Sequence, residues 1–188
     1  MMITQETKGI SVPFDRTYWV VPEKFLAGCY PGSNKNEKSF KKLSGLVAHG
    51  IRHVVSLMEP DETDWNNTPF VSYEGQMKEI AESMCHSVTF DRMSIVDNDI
   101  PTRPFMSDIL DCIDRNIKHG NPVYAHCWGG RGRTGTVVGC YLARHGFGTG
   151  EKVLDLLQDL RKNAQDSNQV SPQTTAQFDM VRNWMKGE

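Results

Sequence analysis

Long apolar runs are missing from this sequence. No stretch reaches the length needed to span a bilayer, and the opening Met-Met-Ile-Thr-Gln-Glu-Thr-Lys has no basic run leading into an apolar one. We therefore expect no integral membrane segment and no secretory leader. A surplus of positive charge is missing too: the formal net charge is -2, so a nucleic-acid partner held by a broad basic surface is not expected, and any attraction for an anion has to be local. Cysteine is sparse and unpatterned. The five cysteines are odd in number, have no metal-ligand spacing, and sit in a chain too large to need disulfide staples, which favours a reducing, cytoplasmic setting. The histidines His49, His53, His86, His119 and His145 form no ligand motif in the sequence, so no metal is expected.

Repeats, low-complexity tracts and Pro/Gly/Ser linkers are absent as well, which leaves a single domain over residues 1–188. With 38% hydrophobic residues the chain can bury a substantial core. Phe40, Leu43, Leu46 and Val47 share one helical face ahead of Gly50, and Ile51 to Met58 reads as a strand. Glu59 to Tyr73 reads as a long surface loop. A helix over Tyr73 to Met84, a strand near Ser87 to Met93 and a helix from Thr102 to His119 follow. Pro122 to His126 is a short strand, and a helix through Val137, Val138, Tyr141 and Leu142 ends at Gly146. Thr149 is expected to cap the next helix, and Ser171-Pro172 to open the last one, running to Lys186. Strands alternating with amphipathic helices argue for an α/β sandwich.

Between the short strand and its helix stands His126-Cys127-Trp128-Gly129-Gly130-Arg131-Gly132-Arg133-Thr134-Gly135. Three of the five residues separating Cys127 from Arg133 are glycine, a density that suits a backbone wrapped closely around a ligand. A loop curled at a helix N-terminus turns its amides inward, so the enclosed object should be an oxyanion. Arg133 can grip two oxygens of a tetrahedral phosphate through its planar guanidinium, which lysine cannot do. The same field favours thiolate over thiol at Cys127 and makes it a nucleophile. His126 is placed to orient the loop from behind the cysteine, and the Thr134 hydroxyl to donate to its sulfur. Trp128 either stacks on a substrate ring or packs beneath the loop. Arg131 adds a second positive side chain inside it.

This stretch resembles the phosphate-binding loop of the protein tyrosine phosphatase superfamily: His-Cys, five residues, Arg, then Ser or Thr. The likeness extends further. Ser94 to Pro101, with Asp97 and Asp99, is similar to the general-acid loop of that family, and Asp97 fits the acid's place best, with Asp99 as the alternative. Gln173-Thr174-Thr175-Ala176-Gln177 resembles the glutamine element that positions the hydrolytic water, with Gln173 in that role and Gln177 supporting it. Phe25-Leu26-Ala27-Gly28 looks like the entry strand of small dual-specificity phosphatases, so the resemblance covers about residues 24–184.

What the resemblance implies is a three-layer α/β fold with a central, mostly parallel sheet flanked by helices. It also implies hydrolysis of phosphate monoesters through a phosphocysteine intermediate, without a cofactor. The implied substrate is a phosphorylated protein, with an inositol polyphosphate or phosphoinositide as the alternative and a non-catalytic phospho-binding module as the rival from another class. The phosphate group itself would be held by Trp128, Gly129, Gly130, Arg131, Gly132 and Thr134 together with Arg133. The absence of a tyrosine-bearing recognition loop points to a shallow pocket, rimmed by Arg92, Arg103 and Lys35. Of the remaining thiols, Cys85 is the one expected to reach Cys127 and protect it as a disulfide.

Overall fold

The computed structural model describes residues 9–188, so the reading of the opening eight residues lies outside it. Five strands form one sheet: β1 (Thr17–Val21), β2 (Phe25–Cys29), β3 (His53–Ser56), β4 (Thr89–Arg92) and β5 (Val123–Cys127). Their spatial order is β1-β2-β5-β3-β4, with β1 antiparallel to β2 and every other pair parallel. Parallel neighbours need long crossovers, and helices supply them: α1 (Asn36–Ala48), α2 (Glu74–Ser83) and α3 (Arg103–Lys118) link β2 through to β5. Three more helices, α4 (Gly132–Arg144), α5 (Glu151–Leu160) and α6 (Thr175–Arg182), follow among the described residues.

Strand periodicity sorts the core into two layers. Tyr18, Val20, Phe25, Ala27, Val55, Val123 and Ala125 face α3 to α6, whereas Trp19, Leu26, Val54 and Tyr124 face α1 and α2. The sheet is thus covered on both sides, which is why β3 and β5 are buried at every position. Among the described residues no helix is long and apolar enough to cross a membrane.

Three local expectations need correction. Phe40 is more than half exposed; the inward position of that turn belongs to Ser39, whose hydroxyl donates to Gln76 Oε1 at 2.6 Å and ties α1 to α2. Thr149 does not cap α5, because the chain enters that helix through Gly150 at φ 58°, one residue later, with no side-chain cap. Ser171-Pro172 does not open α6. Thr174 caps it, accepting from the Gln177 amide while Gln177 Oε1 accepts from the Thr174 amide, a reciprocal box that outcompetes the earlier start. Ser171 instead donates its hydroxyl to the Arg131 carbonyl at 2.8 Å.

Candidate active site

In a parallel sheet the carboxyl ends of the strands gather the loops that bind ligands, and β5 lies between β2 and β3 with Cys127 as its last residue. Residues 128–131 then curl back and α4 begins at Gly132 without a side-chain cap, so its first amides are left for a ligand. Gly130 makes this turn possible. Its φ is 77°, and a Cβ there would stand 2.6 Å from the Gly28 carbonyl carbon and 2.7 Å from the Cys29 nitrogen. In that conformation its N–H donates to Cys127 Sγ at 3.3 Å.

Arg133 is 1% exposed, and its guanidinium is held from several sides. Nη1 donates to the Ile95 carbonyl at 3.0 Å, to the Leu57 carbonyl at 3.4 Å and to Glu62 Oε1, while Nη2 meets Glu62 Oε2 and Asp97 Oδ1, each at 3.0 Å. Burial alone would lower its pKa. The paired bond to Glu62, then the Cys127 and Asp97 charges, outweigh that and raise it above the ordinary arginine value. Its Nε, by contrast, is buried and has no hydrogen-bond partner among the described residues.

Cys127, Arg133 and Asp97 open on one pocket of about 650 Å³, together with Trp128, Gly129, Arg131 and Gln173. Asp97 is half exposed and its second oxygen accepts from Asn98 Nδ2 at 2.9 Å. Asp99 is turned away: its carboxylate accepts from the Ile100 amide at 2.8 Å, and its carbonyl accepts from Gln177 Nε2 at 3.1 Å. Gln177 therefore joins the loop 94–101 to α6. Gln173 approaches the loop after Cys127 so closely that a Cβ on Gly132 would lie 2.8 Å from its Oε1. Arg131 reaches into the same pocket and is steadied by Gln169 Oε1 at 2.9 Å. The Trp128 ring stands edge-on to Trp65 at 5.3 Å and to Phe70 at 5.5 Å, so it packs and lines the pocket at once.

Behind the cysteine, His126 is fully buried. Its Nδ1 lies 3.2 Å from the Cys127 carbonyl and its Nε2 lies 2.6 Å from the Tyr73 hydroxyl, which fixes a neutral ring with the proton on Nδ1 and Tyr73 donating to Nε2. Burial is the main cause that drives its pKa down to about 3. In the unfolded chain this histidine takes a proton below about pH 6.5, but in the folded protein it does not until about pH 3. Its contribution to stability is thus complete above pH 6.5 and is lost as pH falls toward 3. Thermal unfolding at pH 7.5 and pH 5 should show a melting temperature that drops with acidification, with a flatter slope in His126→Gln. An unchanged slope in the variant would contradict the assignment.

Several readings from sequence do not survive the geometry. Thr134 sits behind the cysteine rather than donating to its sulfur: its hydroxyl accepts from the Cys127 amide at 2.8 Å and points toward the Gly28 carbonyl at 3.4 Å. It is also fully buried, away from the pocket lining. Arg92, Arg103 and Lys35 do not line the pocket; Arg92 bonds the Met58 carbonyl and Arg103 bonds Glu188, and the rim cations are Arg16 and Arg131. Cys85 precedes β4, at the amino end of the parallel strands and so opposite Cys127, whereas Cys29 is the register partner of Cys127 on β2. Glu62 was not anticipated. It lies in the irregular loop 59–73, and no local pattern distinguishes it from the other acids there.

The family described as "Swiss Army Knife protein, DSP-PTPase phosphatase domain" matches residues 15–186. The mouse protein named dual specificity protein phosphatase CDC14B is 28% identical over 127 residues, 68% of this chain and 24% of its own length. The Arabidopsis thaliana protein named phosphatidylglycerophosphate phosphatase PTPMT2 is 33% identical over 133 residues, 66% of this chain and 46% of its own length. The chain thus spans from about a quarter to about half of these relatives. A solved structure of PTPMT1 in complex with PI(5)P superposes with a TM-score of 0.66 at 20% identity, covering 90% of this chain and 94% of that one.

Proposed function

Because the chain belongs to the dual-specificity type of protein tyrosine phosphatase domain, we propose that it hydrolyses phosphate monoesters through a phosphocysteine formed on Cys127. The observation that carries this reading is the orphaned Nε of Arg133, buried in the pocket that also holds the Cys127 sulfur. A buried guanidinium N–H without a partner is costly, and a phosphate oxygen would satisfy it. In the structure Asp97 Oδ1 occupies a position on Nη2 that a second phosphate oxygen would take. Substrate would therefore displace the Asp97 carboxylate toward the leaving group.

The Cys127 thiolate attacks phosphorus in line as the bond to the ester oxygen breaks, and Asp97 protonates the departing alcohol. Loop amides and Arg133 hold the equatorial oxygens while charge builds on them. Water, oriented by Gln173, then attacks the phosphocysteine, returns its proton to Asp97 and frees the thiolate. Arg16 and Arg131 at the rim suit substrates with further negative charge. The five free thiols fit a reducing compartment such as the cytoplasm, and residues 1–188 act as one phosphatase domain.

The names of the relatives point to two substrate classes, phosphoproteins and phosphorylated lipid headgroups, and we take the phosphoprotein as the leading one. Phosphate release from phosphotyrosine, phosphoserine and phosphothreonine peptides, inositol polyphosphates and inositol lipids tests it. Preference for the peptides supports it; preference for the inositol compounds transfers the assignment to them. No release from any of them would leave a phospho-binding module.

The acid has its own test. Asp97→Ala should lower kcat by about 10²- to 10⁴-fold on alkyl phosphates and much less on activated aryl phosphates, which need little protonation. Asp99→Ala should slow alkyl and aryl phosphates by similar, small factors; if it, and not Asp97→Ala, produces the selective loss on alkyl phosphates, Asp99 is the acid.

A further inference from the structure

The end of the sheet remote from the phosphate pocket holds a second group of ligand-type side chains. His53 opens β3, Asp91 is on the edge strand β4 and Cys112 is on α3, and the three meet although nothing in their sequence spacing announces it. Val123, the register partner of His53, is four residues before Cys127, about 13 Å along β5. His53 and Cys112 are buried and Asp91 is half exposed.

The three ligand atoms form a compact triangle. His53 Nε2 is 3.4 Å from Asp91 Oδ2, Cys112 Sγ is 3.2 Å from the same oxygen, and Sγ is 3.7 Å from Nε2. Bonds of ~2.0–2.3 Å arranged tetrahedrally around zinc place such atoms ~3.3–3.6 Å apart, so the triangle matches one face of that polyhedron. The tautomer of His53 also fits. Its Nδ1 is 2.7 Å from Thr89 Oγ1, and that hydroxyl donates to the Arg52 carbonyl at 3.4 Å, so Nδ1 is the donor and Nε2 presents its lone pair. That lone pair and the Asp91 carboxylate oxygen thus face each other with a single thiol proton between two acceptors. A cation resolves the conflict.

We propose that His53, Asp91 and Cys112 bind one zinc-class divalent ion, with the exposed side of Asp91 leaving the fourth vertex to solvent. Imidazole, carboxylate and thiolate are the donor set that such borderline ions take. Binding converts the Cys112 thiol to thiolate and releases its proton to solvent. The ion would pin the edge strand to α3 and act on stability, independently of chemistry at Cys127.

The test uses the full chain carrying Cys127→Ser, reduced, so that the thiol of the phosphate pocket cannot contribute. Titration with cobalt(II) should give a thiolate-to-metal charge-transfer band that saturates at one equivalent and is displaced by zinc, and zinc should raise the melting temperature. Asp91→Asn, at a half-exposed position, should weaken binding at least 10-fold with the fold kept, since even loss of a group supporting a ligand costs about that much. Cys112→Ala and Cys112→Ser should both lose the band. A band that persists in both cysteine variants, binding unaffected by Asp91→Asn, or no band in the parent would each overturn the proposal.

Discussion

Cys127→Ser should release phosphate no faster than the uncatalysed blank, a fall on the order of 10⁴-fold or more, while phosphate esters still bind. The asymmetry follows from how the site is built. The cage is made of backbone and Arg133: the Gly130 amide faces the sulfur, α4 presents uncapped amides, and the guanidinium is anchored by Glu62 and two carbonyls. Only the Gly130 amide bonds the sulfur, and a serine oxygen can accept from it in the same way. A serine hydroxyl in the same place is protonated at neutral pH and cannot begin the in-line attack, so the ground-state complex forms and the chemical step does not. Isothermal titration with a phosphate ester, set beside phosphate release, separates the two quantities. Turnover at the parent rate would mean that another nucleophile operates. Lost turnover together with lost binding would mean that the sulfur also organises the cage. In the parent protein, a burst of alcohol ahead of steady phosphate release would report the covalent intermediate directly.

Much of this candidate site is legible in the sequence, and the reason is local. Cys127 to Arg133 is a single turn of chain, so the glycines, the guanidinium and the helix start had to converge wherever the strand and helix lay. The choice between Asp97 and Asp99 was open in the sequence because both belong to the same loop. In the structure Asp97 turns toward Arg133, a contact across 36 positions, while Asp99 accepts from the adjacent Ile100 amide. Other features depended on distant pairings that leave no local pattern. Glu62 meets Arg133 across 71 positions, and His53 meets Cys112 across 59. Of the two rim cations Arg131 was legible within the loop, but Arg16 was missed for the same reason: it precedes β1, far from that loop in sequence, and arrives through the antiparallel edge of the sheet. Helical periodicity placed α1, yet it could not tell that Ser39 rather than Phe40 turns inward, because a bond to Gln76 of α2 makes the hydroxyl the better buried group.

Arg133→Lys preserves the charge and should still cost kcat/KM about 10²- to 10⁴-fold. A lysine ammonium is a point donor that cannot present the edge carrying Nε and Nη2 to two phosphate oxygens at once. Two charge-assisted hydrogen bonds are weakened or lost, each worth about 1.5–3 kcal/mol, which is the basis of that range. Stability should fall as well. The Glu62 carboxylate, 11% exposed, and the Leu57 and Ile95 carbonyls would lose a donor fork shaped to reach all of them. Leaving a buried carboxylate without its partner typically costs about 3–5 kcal/mol. Glu62→Gln distinguishes anchoring from contact, because Glu62 does not line the pocket. It should lower kcat while changing KM little, since the guanidinium remains but is no longer fixed for the transition state. With the Arg133 pKa raised further above the usual arginine value, its charge stays constant throughout the assay range. Any pH dependence in kcat must therefore arise elsewhere, and Asp97→Ala should remove the limb due to the general acid while Arg133→Lys leaves it in place. A lysine variant with parental kcat/KM would show that charge alone, without the paired geometry, supports the reaction.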